Sequence, residues 1–266
     1  MRRNIYNVFM TILLTMVNTR ALAQDSTSIA YSFGDGLAIH GGVGFLSLKD
    51  EYISSEVYSG EVSYFAASWS RQNETYGHRL WLEYEYTAAL RNHNISTEIT
   101  QLRLGVAFMY PIGKTNVLSK DVDVLFGPTS ELFFHFRSEN IANGGESIAN
   151  AYSFALLFSG GVKLEALCSL NESLQLHAKA QTSLLSLGGR TPSVVAAEEG
   201  EKTESPFKLL TVFAGFDASG EIGCDYKLYQ SVLIAADYRF ELTRISAWDF
   251  FISGNDNFIL SAAYDL

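Results

Sequence analysis

The sequence predicts an all-β fold: a transmembrane, antiparallel, up-and-down β-barrel of about ten strands, within a range of eight to twelve. Three observations predict it. Apolar side chains recur at every second position through most of the 266 residues, the period of a strand with one apolar face. No window after the first residues holds the roughly 18 consecutive apolar residues of a spanning helix. The chain also opens on a segment with the pattern of an export signal. Composition excludes other classes. With 47% hydrophobic and 18% charged residues the chain is not disordered, and two cysteines cannot staple a disulfide scaffold. A net charge of −10 opposes nucleic-acid binding, because little would neutralise a phosphate backbone.

Residues 1–23 are expected to be a signal peptide. Arg2 and Arg3 give a positive start, an apolar stretch runs from Val8 to Val17, and Ala21-Leu22-Ala23 offers small residues for cleavage. Removal would leave 243 residues at a net charge of −13, with 16 Lys and Arg against 29 Asp and Glu. Residues 24–36 are expected to form a short periplasmic lead, and 37–266 the barrel.

The first two candidate strands, about 37–48 and 57–70, are rich in glycine and serine, and their facing is ambiguous. In the third, Leu80, Leu82, Tyr84, Tyr86 and Leu90 oppose Arg79, Glu83, Glu85 and Arg91. In the fourth, Leu102, Leu104, Val106, Phe108 and Tyr110 oppose Gln101 and Arg103. In the fifth, Val122, Val124, Phe126, Leu132, Phe134 and Phe136 oppose Asp123, Thr129, Glu131, His135 and Arg137. From Tyr152 to Cys168 the even positions are apolar or small, and the odd ones include Lys163 and Glu165. Leu174, Leu176 and Ala178 alternate with His177 and Lys179. Leu210, Val212, Ala214, Phe216, Ala218 and Ile222 are read as one face, against Thr211, Phe213, Asp217 and Glu221. Val232 to Leu242 oppose Asp237, Arg239 and Glu241, and Phe258, Leu260, Ala262, Tyr264 and Leu266 close the chain.

The expected connections alternate in length over the second half. Those at 138–150, 188–207 and 244–256 are long, and those at 169–173 and 228–231 are short, the asymmetry of extracellular loops and periplasmic turns. The stretch 111–121 would be an unusually long turn on the periplasmic side. Alternation leaves open which face is outside, because a soluble barrel shows it too. Strand length and aromatics near strand ends (Tyr110, Phe126, Phe136, Tyr152, Tyr226, Tyr229, Phe258, Tyr264) favour lipid.

On the signal, the repeated amphipathic strands and the final run Phe258 to Leu266, the chain resembles the small outer-membrane β-barrel proteins of Gram-negative bacteria, the porin-like and OmpA-like class. The resemblance covers residues 34–266. It implies an integral place in the outer membrane, both termini in the periplasm, contact with outer-membrane lipid, and recognition of the last strand by the barrel-assembly machinery. That class usually ends in an aromatic residue, and Leu266 departs from it.

A ten-stranded lumen lies near the size that side chains can fill. The inward charges would be Arg79, Glu83, Glu85, Arg103, Glu131, Arg137, Lys163, Glu165, Lys179, Asp217, Glu221, Asp237, Arg239 and Glu241, with His135 and His177 beside them. Two readings stay open: a closed polar plug, or a narrow pore for water, ions or very small solutes. A subunit of an envelope complex is a further alternative, on which Pro128 and Ser130 would mark a break in the lipid face unless they form a bulge. A lipid-modifying enzyme is another, but no Gly-x-Ser-x-Gly or paired Asp/His-Asp signature supports it, and His93 has no recognisable partners. No catalytic residue, cofactor or metal site is expected. Cys168 and Cys224, outward on nonadjacent strands, are expected to be free thiols, since two strand spacings exceed a disulfide's reach.

Overall fold

The computed structural model describes residues 36–51, 54–72, 75–92, 95–117, 120–140, 142–143, 146–147, 152–190, 207–229, 231–247 and 251–266. The expected signal peptide, the segment 24–35, His93 and the acidic residues of 191–206 lie outside the described residues. Ten strands form one closed antiparallel barrel. They are β1 (Gly36–Asp50), β2 (Ser54–Gln72), β3 (Gly77–Asn92), β4 (Ile95–Val117), β5 (Lys120–Asn140), β6 (Tyr152–Ser169), β7 (Leu174–Arg190), β8 (in two pieces, Phe207–Thr211 and Gly215–Tyr229), β9 (Val232–Ile245) and β10 (Phe251–Asp265). Each pairs with its sequence neighbour. The circle closes where β1 meets β10, from Gly36 opposite Asp265 to Asp50 opposite Phe251. Closure leaves no sheet edge with unpaired backbone groups, the condition for a sheet in hydrocarbon.

Both ends of the barrel chain, Gly36 and Asp265, lie at one rim. That rim carries the connections 73–76, 118–119, 170–173 and 230–231, and is called the turn end. The opposite, loop end carries 51–53, 93–94, 141–151, 191–206 and 246–250. A two-residue ladder, Ala142–Asn143 with Glu146–Ser147, sits in the connection after β5.

Side-chain direction answers the question the alternation left open. Ile39, Leu104 and Leu260 point outward at 64, 50 and 68% exposure, whereas Arg103 and Glu131 point inward at 5 and 3%. An apolar outside and a charged inside is the inverse of a water-soluble barrel, so the outer wall is built for lipid. At the turn end this wall carries linked aromatics: Trp69 and Tyr76 pack on His78, which meets Phe108, and Tyr76 meets Tyr110. Such rings sit well at a membrane interface.

Several expectations are corrected. The stretch 111–121 is not a long turn. A register shift between Pro111 and Gly113 lets β4 run on to Val117, so only 118–119 separates it from β5. The expected loop 244–256 shrinks to 246–250 because the polar run Ser253–Asn257 is strand, paired on both sides. Leu90 is buried inside rather than outward, because a shift between Thr87 and Leu90 reverses the parity. Leu210 does not share a face with Phe216. Turn residues 212–214 split β8, so Leu210 points in, and Thr211 and Phe213 are exposed. Pro128 and Ser130 form no bulge against β6, whose register runs through both. The ambiguous first strands resolve with even-numbered residues inward, among them His40, Leu46, Leu48 and Tyr64.

Leu104→Arg, in the outward band opposite Leu82 and Leu132, should lower the stability of the bilayer-embedded barrel by about 2–4 kcal/mol if the residue lies near the bilayer midplane. Urea titration in vesicles measures it. A water-facing leucine would tolerate the change within roughly 0.5 kcal/mol.

Candidate functional site

The lumen is the candidate site, and it is layered. In the loop-end half, inward residues of nine strands form one apolar cluster: Leu46 and Leu48 from β1, Tyr58 and Val62 from β2, Leu90, Ile99, Phe133, Leu157, Leu210, Ile245 and Phe251. A smaller apolar cluster, Trp81, Ala107, Met109, Leu125 and Leu167, lines the β3–β6 side of the turn-end half. Gly105 makes room for it, since a Cβ there would stand 2.1 Å from the Trp81 ring.

Charged groups fill the middle and meet across the lumen. Arg103 on β4 reaches Glu131 at 2.7 Å, Asp217 at 3.3 Å and Glu241 at 3.3 Å. It also donates to Thr243 Oγ1 at 3.2 Å and lies over the Phe133 ring at 4.4 Å. Arg239 on β9 spans to Glu83 on β3 at 2.5 Å, holds Glu241 at 2.7 Å and donates to Tyr64 Oη at 3.3 Å. Glu85 accepts from the amides of Asn255 and Asn257 on β10, at 2.5 and 2.8 Å. Each guanidinium thus serves carboxylates from different strands, which offsets the desolvation that burial imposes on both signs.

The other sequence-predicted residues fall into two groups. Towards the loop end, His135 meets Gln101 at 3.1 Å and packs edge-on against Phe251 at 5.2 Å. Arg137 donates to Thr97 at 3.1 Å and covers the Tyr58 ring at 4.3 Å. An ion pair between Asp50 and Arg190 crosses from β1 to β7 beside Ser153. Towards the turn end, Glu165 lies 3.9 Å from Arg79, Lys163 stands 5.2 Å over Trp81, and Lys179 meets Glu221 at 2.5 Å. His177 gathers Asp225, Asp237 and Glu221. A polar cavity of about 70 Å³ lies here, lined by His40, Arg79, Glu83, Lys179, Glu221 and Asp237 among others.

All sixteen sequence-predicted residues therefore point into the lumen. Sequence reasoning missed Asp50, Arg190 and Asn255 as participants, and the apolar cluster altogether. Parity within β10 could have found Asn255, had the run before Asn257 been read as strand. Cys168 and Cys224 are free. They stand on β6 and β8, both opposite Leu176 of the strand between.

No protein-family profile matches the sequence, and no curated protein does. Among solved structures the chain is similar to the outer membrane protease OmpT of Escherichia coli, at 8% identity and a TM-score of 0.48, covering 91% of this chain and 100% of that one. It is also similar to the translocator domain of the autotransporter NalP of Neisseria meningitidis (11%, TM-score 0.44, 100% and 98% covered) and to Ail of Yersinia pestis (10%, TM-score 0.32, 87% and 99% covered). The class rests on the molecule's own geometry: a closed register, an apolar outer wall and a charged interior define a transmembrane β-barrel.

Arg103→Met should cost about 3–5 kcal/mol, because it strands three buried carboxylates. Glu131→Gln should cost less, since Arg103 keeps Asp217 and Glu241. Denaturation of both variants in the same vesicles compares them.

Proposed function

We propose that this protein is an integral outer-membrane barrel with a closed lumen, a structural element of the envelope that holds its longer connections at one rim. The carrying observation is the apolar cluster to which nine of the ten strands contribute. A layer of packed Leu, Ile, Phe and Tyr offers an ion no replacement for its hydration shell, and the ion-paired Arg103 and Arg239 clusters lie beneath it. An even strand number, uniformly short connections at the rim with both termini, and the three longest connections (141–151, 191–206 and 246–250) at the opposite rim support placement in a bacterial outer membrane, with the turn end in the periplasm.

A non-enzymatic role fits the same geometry. His135 and His177, two of the three inward histidines among the described residues, are buried at 1 and 4% exposure, out of reach of lipid outside the wall. The narrow-pore reading has one observation in its favour, the polar cavity of about 70 Å³ in the turn-end half; the apolar cluster above it opposes a continuous path.

Planar-bilayer recording of the refolded, heat-modifiable protein tests the proposal. The closed barrel should give no discrete conductance steps, and Phe133→Ser with Leu157→Ser and Phe251→Ser should produce them. Steady steps from the unaltered protein, with ion selectivity that shifts in Arg103→Gln or Glu131→Gln, would establish a pore instead.

A further inference from the structure

The turn-end half of the lumen holds an arrangement that the guanidinium clusters leave unexplained. His177, Gly223 and Asp237 stand directly opposite one another on β7, β8 and β9. All three face inward, and the middle one has no side chain. A Cβ on Gly223 would lie 1.9 Å from Asp237 Oδ1 and 2.7 Å from His177 Nε2. The glycine is therefore what lets side chains from next-nearest strands meet. His177 Nε2 sits 3.0 Å from Asp237 Oδ1 and 3.5 Å from Glu221 Oε1. On the other edge of the ring, Nδ1 lies 2.9 Å from Asp225 Oδ2. The imidazole is fully buried at 0% side-chain exposure. Neither its Nε2 nor Asp237 Oδ1 makes a hydrogen bond of acceptable direction among the described residues.

We propose that His177, Asp237 and Glu221 form a binding site for a first-row divalent transition cation of the Zn²⁺ type, with Asp225 fixing the imidazole from behind. The three donor atoms lie within 4.8 Å of one another. Two bonds of about 2.0–2.1 Å at a tetrahedral angle place their donors roughly 3.3 Å apart, which is the range of the His177 contacts. One imidazole nitrogen with carboxylate oxygens suits a borderline cation, whereas Ca²⁺ takes six to eight oxygens. The Asp225–His177 pair reproduces the carboxylate–imidazole support that metal-bound histidines use to set tautomer and orientation. Glu221 also meets Lys179 Nζ at 2.5 Å. Glu221 and Asp237 also line the polar cavity, which gives the ion a place to enter and a solvent ligand a place to sit. The site requires only this chamber, so it stands whether or not the barrel conducts.

Refolded protein in detergent micelles, treated with chelator and dialysed, is titrated with Zn²⁺ by calorimetry and analysed for bound metal, with heat-modifiability as the control for folding. One saturable equivalent per chain is expected, with imidazole scattering at the zinc absorption edge. His177→Gln and Asp237→Asn should abolish it, and Asp225→Asn should weaken affinity roughly 10–100-fold while keeping the stoichiometry. Folded wild-type protein without a saturable equivalent would overturn the proposal, as would variants that bind like the wild type. Such results would leave His177 as an imidazolium that only balances its carboxylates. Should a variant fail to fold, the wild-type edge spectrum decides, because zinc bound without imidazole scattering contradicts the site.

Discussion

A charge pointing into a barrel ringed by lipid cannot reach bulk water through the wall, so it has to find its opposite across the lumen. That constraint organises this molecule. Arg103 and Arg239 come from β4 and β9 and both bind Glu241. Through Glu131, Asp217 and Glu83 they draw in β5, β8 and β3. Two side chains thereby tie five strands together without any backbone contact between most of them. The hydrogen-bonded wall sets the circumference, and these clusters fix how the far sides stand relative to each other. Because a guanidinium left without carboxylates would be far worse than either the pair or an apolar replacement, the clusters favour one register over its slipped alternatives.

Packing divides the remaining space by chemistry. Apolar inward residues gather in the loop-end half, where Phe133 and Tyr58 also receive the faces of Arg103 and Arg137. Polar groups occupy the middle and one side of the turn-end half. Small residues shape the boundary: Gly105 admits the Trp81 ring, and Gly223 admits the His177–Asp237 pair. In both places the missing Cβ makes room for a neighbouring side chain.

Much of this was legible in the sequence because a strand has period two. The parity of Arg103, Glu131, Lys163, His177 and Arg239 placed them inside, and Leu104, Phe158 and Leu260 outside, with no knowledge of partners. Parity failed where the backbone inserts a residue. Leu90 ends an irregularity at 87–90 and Leu210 precedes one at 212–214, and nothing in their local composition marks the shift. Asn255 was read as loop because Asn, Gly and Ser carry turn propensity, although its tertiary role is to donate to Glu85. The apolar lumen cluster was missed for a different reason. Its members are scattered over nine strands among polar neighbours, and only closure of the barrel brings Leu46, Phe133 and Phe251 together. Cross-lumen pairing such as Arg239 with Glu83, 156 positions apart, has no signature in a single sequence.

The central claim is that buried charge pairs across the lumen hold the barrel's opposite sides together. A double-mutant cycle between Arg239 and Glu83, read by urea unfolding from vesicles, tests it most directly. With Arg239→Met and Glu83→Gln, the account predicts a coupling energy of about 1–3 kcal/mol, the double variant recovering much of what the arginine change alone loses. Effects that add to within roughly 0.5 kcal/mol would contradict it, and would mean that the backbone ladder alone fixes the fold.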